Sequence, residues 1–167
     1  YEDGKNLAVI SRWKARGFNV EQLFHPMADS YSALFDLQRH GEILARYLEE
    51  SHQAGIRVIL YLNVHIIGPS HAHRREEWAQ RSRDGGWPLF YDTYHPCCFT
   101  GPWRGHFFGV LDSLADVDVD GVFLDGPAMA DGGCWCPACR AAFVLKHGSP
   151  LEGADARARQ EFYTGQR

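Results

Sequence analysis

Hydrophobic and polar positions along the chain alternate between helical and extended periods. In "KNLAVISRWKARG" (5–17), Leu7, Ile10 and Trp13 recur at helical spacing and Gly17 supplies a stop, so the segment predicts a helix. "FNVEQLF" (18–24) predicts a strand, with alternation at Phe18, Val20 and Gln22 only partly clean. "DLQRHGEILARYLEESHQAG" (36–55) predicts a longer helix. Asp36 can cap it, Leu37, Leu44 and Leu48 line one face with Ile43 and Tyr47, and Gly55 ends it. "RVILYLN" (57–63) is apolar without alternation, the pattern of a strand covered on both faces.

Farther along, "HAHRREEWAQRSRDGG" (71–86) predicts a short charged helix closed by glycine. "GPWRGHFFGVLDSLAD" (101–116) predicts a helix with Pro102 in its first turn. "VDGVFLD" (119–125) predicts a third strand, and "PACRAAFVLKHG" (137–148) a helix running from proline to glycine. Strands that alternate with helices imply a parallel sheet joined by helical crossovers, an α/β fold. The C-terminal ends of such strands feed the loops that carry chemistry. Those ends are His25, Asn63 with His65, and Asp125. Three strands are too few for a closed eight-stranded barrel, which takes about 250 residues. The chain therefore reads as the N-terminal part of a (β/α)8 TIM barrel, residues 1–167 forming a single domain, with a small open α/β domain as the other possibility.

Composition narrows the classes. The length of 167 residues, 45% hydrophobic and 13% aromatic, supports a packed core. A formal net charge of −4 argues against a nucleic-acid partner. No apolar run approaches the roughly 20 residues of a membrane helix, so no membrane partner is expected. The chain opens on Tyr1 and ends on "EFYTGQR", which reads as a helix cut short, so a fragment or trimmed chain is expected.

All five cysteines lie on either side of the third strand. Cys97 and Cys98 precede it, and Cys134, Cys136 and Cys139 follow in a C-x-C-x-x-C array. An odd count excludes complete disulfide pairing within one chain, and the array has metal-ligand spacing. With Cys97 or Cys98 it makes four thiolates, the set that holds structural rather than catalytic zinc. Such a site suits the cytoplasm without requiring it. Asp125 ends an apolar strand before Gly126-Pro127, the position a glycosidase nucleophile or base would take, and one that also suits capping of the next segment.

The runs "PCCFTGPWR", "VDGVFLDGP" and "CWCPACRAAF" together resemble the hypothetical glycosyl hydrolases, a TIM-barrel family related to β-galactosidase-like enzymes. "GIRVILYLNVH" and residues 18–24 look like earlier strands of the same family, so the resemblance covers roughly residues 5–145. The chain is also similar to the β-galactosidases whose four-cysteine zinc site joins one upstream cysteine to a C-x-C-x-x-C. Matching "CFTGP" to the C-x-x-x-P context of that upstream ligand favours Cys98, giving Cys98, Cys134, Cys136 and Cys139 as the implied zinc ligands. The resemblance implies a glycoside hydrolase acting on a carbohydrate. Asp125 is the expected catalytic carboxylate, Asn63, His65, His25 and Trp103 are expected substrate contacts, and a homo-oligomer is left open. The other expectation is a non-catalytic carbohydrate-binding or zinc-stabilised interaction domain. The sugar, the linkage and the general acid are not legible.

Overall fold

The computed structural model describes residues 7–23, 37–126 and 128–165, with the backbone alone for 37–40. His25, Phe24, Asp36 and Pro127 lie outside the described residues. Elements are numbered in chain order. The chain divides into two compact units, one built from residues up to Asn63 with Gly109–Asp125, the other from Val64–Phe108 and the residues from Gly126 onward.

The first unit holds a three-stranded parallel sheet of β1 (Val20–Leu23), β2 (Arg57–Asn63) and β5 (Gly121–Asp125), in the order β1-β2-β5. Helix α2 (Leu37–Gln53) connects β1 to β2, and α4 (Trp103–Leu114) precedes β5. These are the α/β fold and helical crossovers expected from the sequence. Helix α1 (Leu7–Ala15) contributes Ile10 to the core, and α2 contributes Leu44, Tyr47, Leu48 and Ser51 at helical spacing. Strand β2 is central, and Val58, Leu60, Tyr61 and Leu62 are all buried. Strand β5 is an edge among the described residues, so its equally apolar Val122, Phe123 and Leu124 remain 40%, 45% and 45% exposed.

At the N-terminal end of the sheet Asp120 ties β2 to α2. Its Oδ2 accepts the Val58 amide at 2.7 Å and lies 2.8 Å from His52 Nε2. The Val58 hydrogen bond, ahead of the His52 contact, holds this carboxyl below its usual range. The Asp118 side chain is 93% exposed, its Oδ2 3.3 Å from His52 Nδ1.

One carboxylate in this unit opposes folding. Glu21 of β1 accepts the Tyr47 hydroxyl at 2.6 Å through Oε1, while its buried Oε2 has no hydrogen-bond partner among the described residues. Burial pushes its pKa up, and the Tyr47 bond offsets only part of that. A carboxyl whose folded pKa is raised stabilises the fold below the unfolded pKa and loses that contribution as pH rises through the folded value. Glu21→Gln keeps an acceptor for Tyr47 and removes the charge. Its melting temperature should therefore exceed the parent's at pH 7, with the gap closing below the ordinary glutamate pKa of about 4.3. Thermal melts from pH 4 to pH 8 check this; a gap that widens on acidification would contradict it.

The second unit consists of the segments that leave the C-terminal ends of β2 and β5. A short antiparallel pair, β3 (Ile66–Ile67) with β4 (His95–Pro96), continues into a bridge between Ala79 and Cys97. The helix expected over 71–86 is instead α3 (Pro69–Arg74), one 3-10 turn (Glu76–Trp78) and extended chain. The reason is tertiary: Cys98 N–H donates to Trp78 O and Gln80 N–H to Pro96 O, so backbone groups that a helix would use internally pair with β4 and its continuation. Beyond β5, α5 (Pro137–His147) ends on Gly148 at φ 70°, and α6 (Ala156–Thr164) starts with Asp155 accepting the Ala158 amide at 2.8 Å. Phe143 of α5 and Phe162 of α6 meet edge to face at 5.2 Å over buried Leu151. Among the described residues no helix is long and apolar enough to cross a membrane.

Candidate functional site

The second unit gathers four sulfurs. Cys98, Cys134, Cys136 and Cys139 are all buried, and their Sγ atoms lie within 4.8 Å of one another. Cys98 Sγ is 3.5 Å from both Cys136 Sγ and Cys139 Sγ. A tetrahedral centre with Zn–S bonds of about 2.3 Å places its sulfurs about 3.8 Å apart, so the donor set fits in kind, number and spacing. Cys97 is not in the cluster. It pairs with Ala79 in extended chain, where neighbouring side chains point to opposite faces, and burial raises its thiol pKa far above the usual value.

Local sequence explains the array. Cys136 is the N-cap of α5: its Sγ accepts the Cys139 amide at 3.5 Å, and Pro137 occupies the first turn. Hydrogen bonds from the Cys134, Cys139 and Cys98 thiols, with that amide, push the Cys136 pKa well down. Cys98 and Cys139 are pushed up, first by their bonds with Cys134. Four thiols share one buried cluster, and a cation is what would let all four ionise together.

Gly132 and Gly133, at φ 79° and 83°, turn the chain into the array. A Cβ on Gly132 would meet nothing within 4 Å, whereas one on Gly133 would lie 2.2 Å from Tyr163 Cε2. Tyr163 donates its hydroxyl to Cys134 O at 2.7 Å, and burial raises its phenol pKa. Gly132→Ala should cost about 1 kcal/mol of backbone strain. Gly133→Ala should cost about 2–3 kcal/mol because the Tyr163 ring must also move. Denaturant melts of the pair check this; equal losses would mean the ring contact does not matter.

The first unit carries Asp125. It ends β5 in register with Asn63, the last residue of β2, so the two stand together at the C-terminal end of the parallel sheet. The Tyr61 hydroxyl donates to Asp125 Oδ2. Tyr61 stacks on its register partner Phe123 at 5.9 Å, so a buried aromatic braces the partly buried carboxylate. Tyr61 was hidden in an apolar run, although its spacing of two from Asn63 puts both on one face.

The remaining predicted contacts are scattered. Asn63 and His65 are buried, and the His65 carbonyl oxygen accepts the Cys97 amide at 2.7 Å. Trp103 is 2% exposed, its indole N–H donates to Val64 O at 3.1 Å, and its ring packs against Trp78 at 5.3 Å. That placement makes Trp103 a core residue, because a stacking platform needs an open face. His25 lies outside the described residues.

The model of the family hypothetical glycosyl hydrolase 6 matches residues 25–126, more than half of the chain, and the chain belongs to that family. A comparison with curated proteins gave no match. Among solved structures, the β-galactosidase of a Rahnella species is similar over 96% of this chain and 30% of its own, at 17% identity and TM-score 0.64. The β-galactosidase of the haloarchaeon Halorubrum lacusprofundi is similar over 87% of this chain and 24% of its own, at 15% identity and TM-score 0.61. A hypothetical protein of Ruminiclostridium thermocellum is similar over 99% of this chain and 86% of its own, at 13% identity and TM-score 0.60. At these identities the likeness is one of fold. The chain spans less than a third of either galactosidase.

Proposed function

We propose that the chain is the N-terminal part of a glycoside hydrolase barrel in which Asp125 acts on a sugar as nucleophile or base. The observation that carries the reading is the Asp125 carboxylate, half-buried at the C-terminal end of β5 beside Asn63 and accepting the Tyr61 hydroxyl. Such a carboxylate is held in place before substrate arrives, which is what attack at an anomeric carbon requires. Glycoside hydrolysis needs a second carboxyl group as acid, and we assign it to a further strand of the barrel. Asn63 is proposed to contact the substrate. His65, two residues past β2, and His25, beyond β1, are proposed as contacts on chain position alone, and Trp103 supports the unit from its core.

Cys98, Cys134, Cys136 and Cys139 are proposed to hold one structural zinc. Four thiolates leave no open position for water, so the metal would crosslink the segment after β2 to the segment after β5 and take no part in bond cleavage. A second reading, a non-catalytic carbohydrate-binding or zinc-stabilised domain, is favoured by one observation: Asp125 is the single carboxylate at the C-terminal strand ends of the described sheet. Hydrolysis of a panel of aryl glycosides and oligosaccharides separates the two. Turnover supports the enzyme, and binding without turnover supports the alternative.

A further inference from the structure

Four ligands from two distant stretches must be brought together, and three of them lie within six residues. Cys134, Cys136 and Cys139 travel with the N-terminus of α5, whereas Cys98 comes from extended chain 36 residues before Cys134. Between these stretches lies Trp78–Arg81. Trp78 O accepts the Cys98 amide at 2.7 Å, Ala79 bridges to Cys97, and Arg81 O accepts the Trp135 amide at 2.8 Å. The side chain of Gln80, buried at the middle of this segment, completes the join. Its Nε2 donates to Cys97 O at 2.8 Å and to Ala128 O at 2.7 Å, and its Oε1 accepts the Ala130 amide at 2.9 Å.

We infer that Gln80 is the positioning residue of the metal centre: it locks the backbone beside Cys98 to the loop that delivers Cys134, and so brings the fourth thiolate to the other three. The chemistry is specific to glutamine. Two acceptors face the nitrogen and one donor faces the oxygen, so one orientation of the amide satisfies all three groups. Glutamate would set an oxygen against two carbonyls, and methionine, close in size, would leave all three backbone groups without this partner. Gln80 touches no sulfur in this network, so its effect passes through the backbone, as outer groups around metal ligands act.

The inference rests on the zinc reading, and the test separates the two. Zinc affinity of the parent, Gln80→Met and Gln80→Asn is measured by competition with a chromophoric chelator. The zinc-loaded proteins are then alkylated and the modified cysteines mapped by mass spectrometry. Gln80→Met is expected to weaken zinc about 10–100-fold. It should also expose Cys98 to alkylation while Cys134, Cys136 and Cys139 stay protected. Gln80→Asn, which keeps the amide on a shorter stem, should fall between and serves in its place if the methionine variant does not fold. A purely structural role would lower the melting temperature with and without zinc by the same amount and leave the alkylation map unchanged; affinity within twofold of the parent in both variants would overturn the inference. A parent that binds no zinc would instead overturn the metal reading itself.

Discussion

Replacing Cys136 by serine is expected to strip zinc from the protein and lower its melting temperature by at least about 8 °C. The parent should carry about one zinc per chain by elemental analysis. A structural thiolate site contributes roughly 10–16 kcal/mol of apparent binding energy at neutral pH, comparable with or above the whole stability of an ordinary domain. Losing even about 4 kcal/mol of that shifts the melting point of a chain this size by about 8–16 °C. Serine isolates the cause. Cys136 also caps α5, accepting the Cys139 amide, but serine is among the best N-cap residues, so the cap survives while the soft, ionisable ligand is lost. Cys97→Ser is the matched control. It is equally buried and adjacent to a ligand, yet outside the cluster, so it should lose some stability and keep its zinc. A Cys136→Ser protein that still holds one zinc and melts with the parent would remove Cys136 from the ligand set.

The parts of this architecture that were readable in advance rest on local chemistry. The run 57–63 is apolar at Val58 to Leu62, five of the six positions a central strand buries or half-buries, and it forms β2 over the same residues. Pro137 and Gly148 mark the two ends of α5, because each residue acts through its own backbone. Where partners are distant, reading failed. The segment 71–86 has helical composition, but the fates of Trp78 and Gln80 are set by Cys98 and Pro96, on chain the local pattern does not contain. The brief β3–β4 pair escaped for the same reason, since two residues carry no period. Trp103 illustrates a different limit: an indole suits both a sugar platform and a core, and it is the burial of its ring, which no local pattern records, that places it in the core. The C-x-C-x-x-C array was accessible because ligand spacing is itself a sequence property. Spacing left Cys97 and Cys98 open, and the cluster takes Cys98, as the family resemblance implied, whereas Gln80, which joins the two halves, carries no such mark.

Asp125→Asn should reduce turnover by about 10³–10⁴-fold in the polypeptide bearing the complete barrel, while leaving its fold intact. The two halves of this expectation come from different atoms. Stability depends on what Asp125 touches in the folded chain, and there the Tyr61 hydroxyl donates to one oxygen of the side chain. Asparagine keeps an oxygen that can accept this bond and the same volume between β5 and β2, so melting should change by no more than about 2–4 °C, the equivalent of about 1 kcal/mol. Catalysis depends on negative charge. As a nucleophile Asp125 would form a bond to the anomeric carbon; as a base it would take a proton from water, and a neutral amide does neither well. The Tyr61 bond sharpens the contrast, because a hydroxyl that donates to a carboxylate aims its oxygens without removing their charge. Initial rates on activated aryl glycosides, measured beside thermal melts of the same preparations, provide the check. Residual turnover within tenfold of the parent would assign the chemistry to another residue, and a rate loss that follows a large drop in melting temperature would make Asp125 a structural group at the strand end.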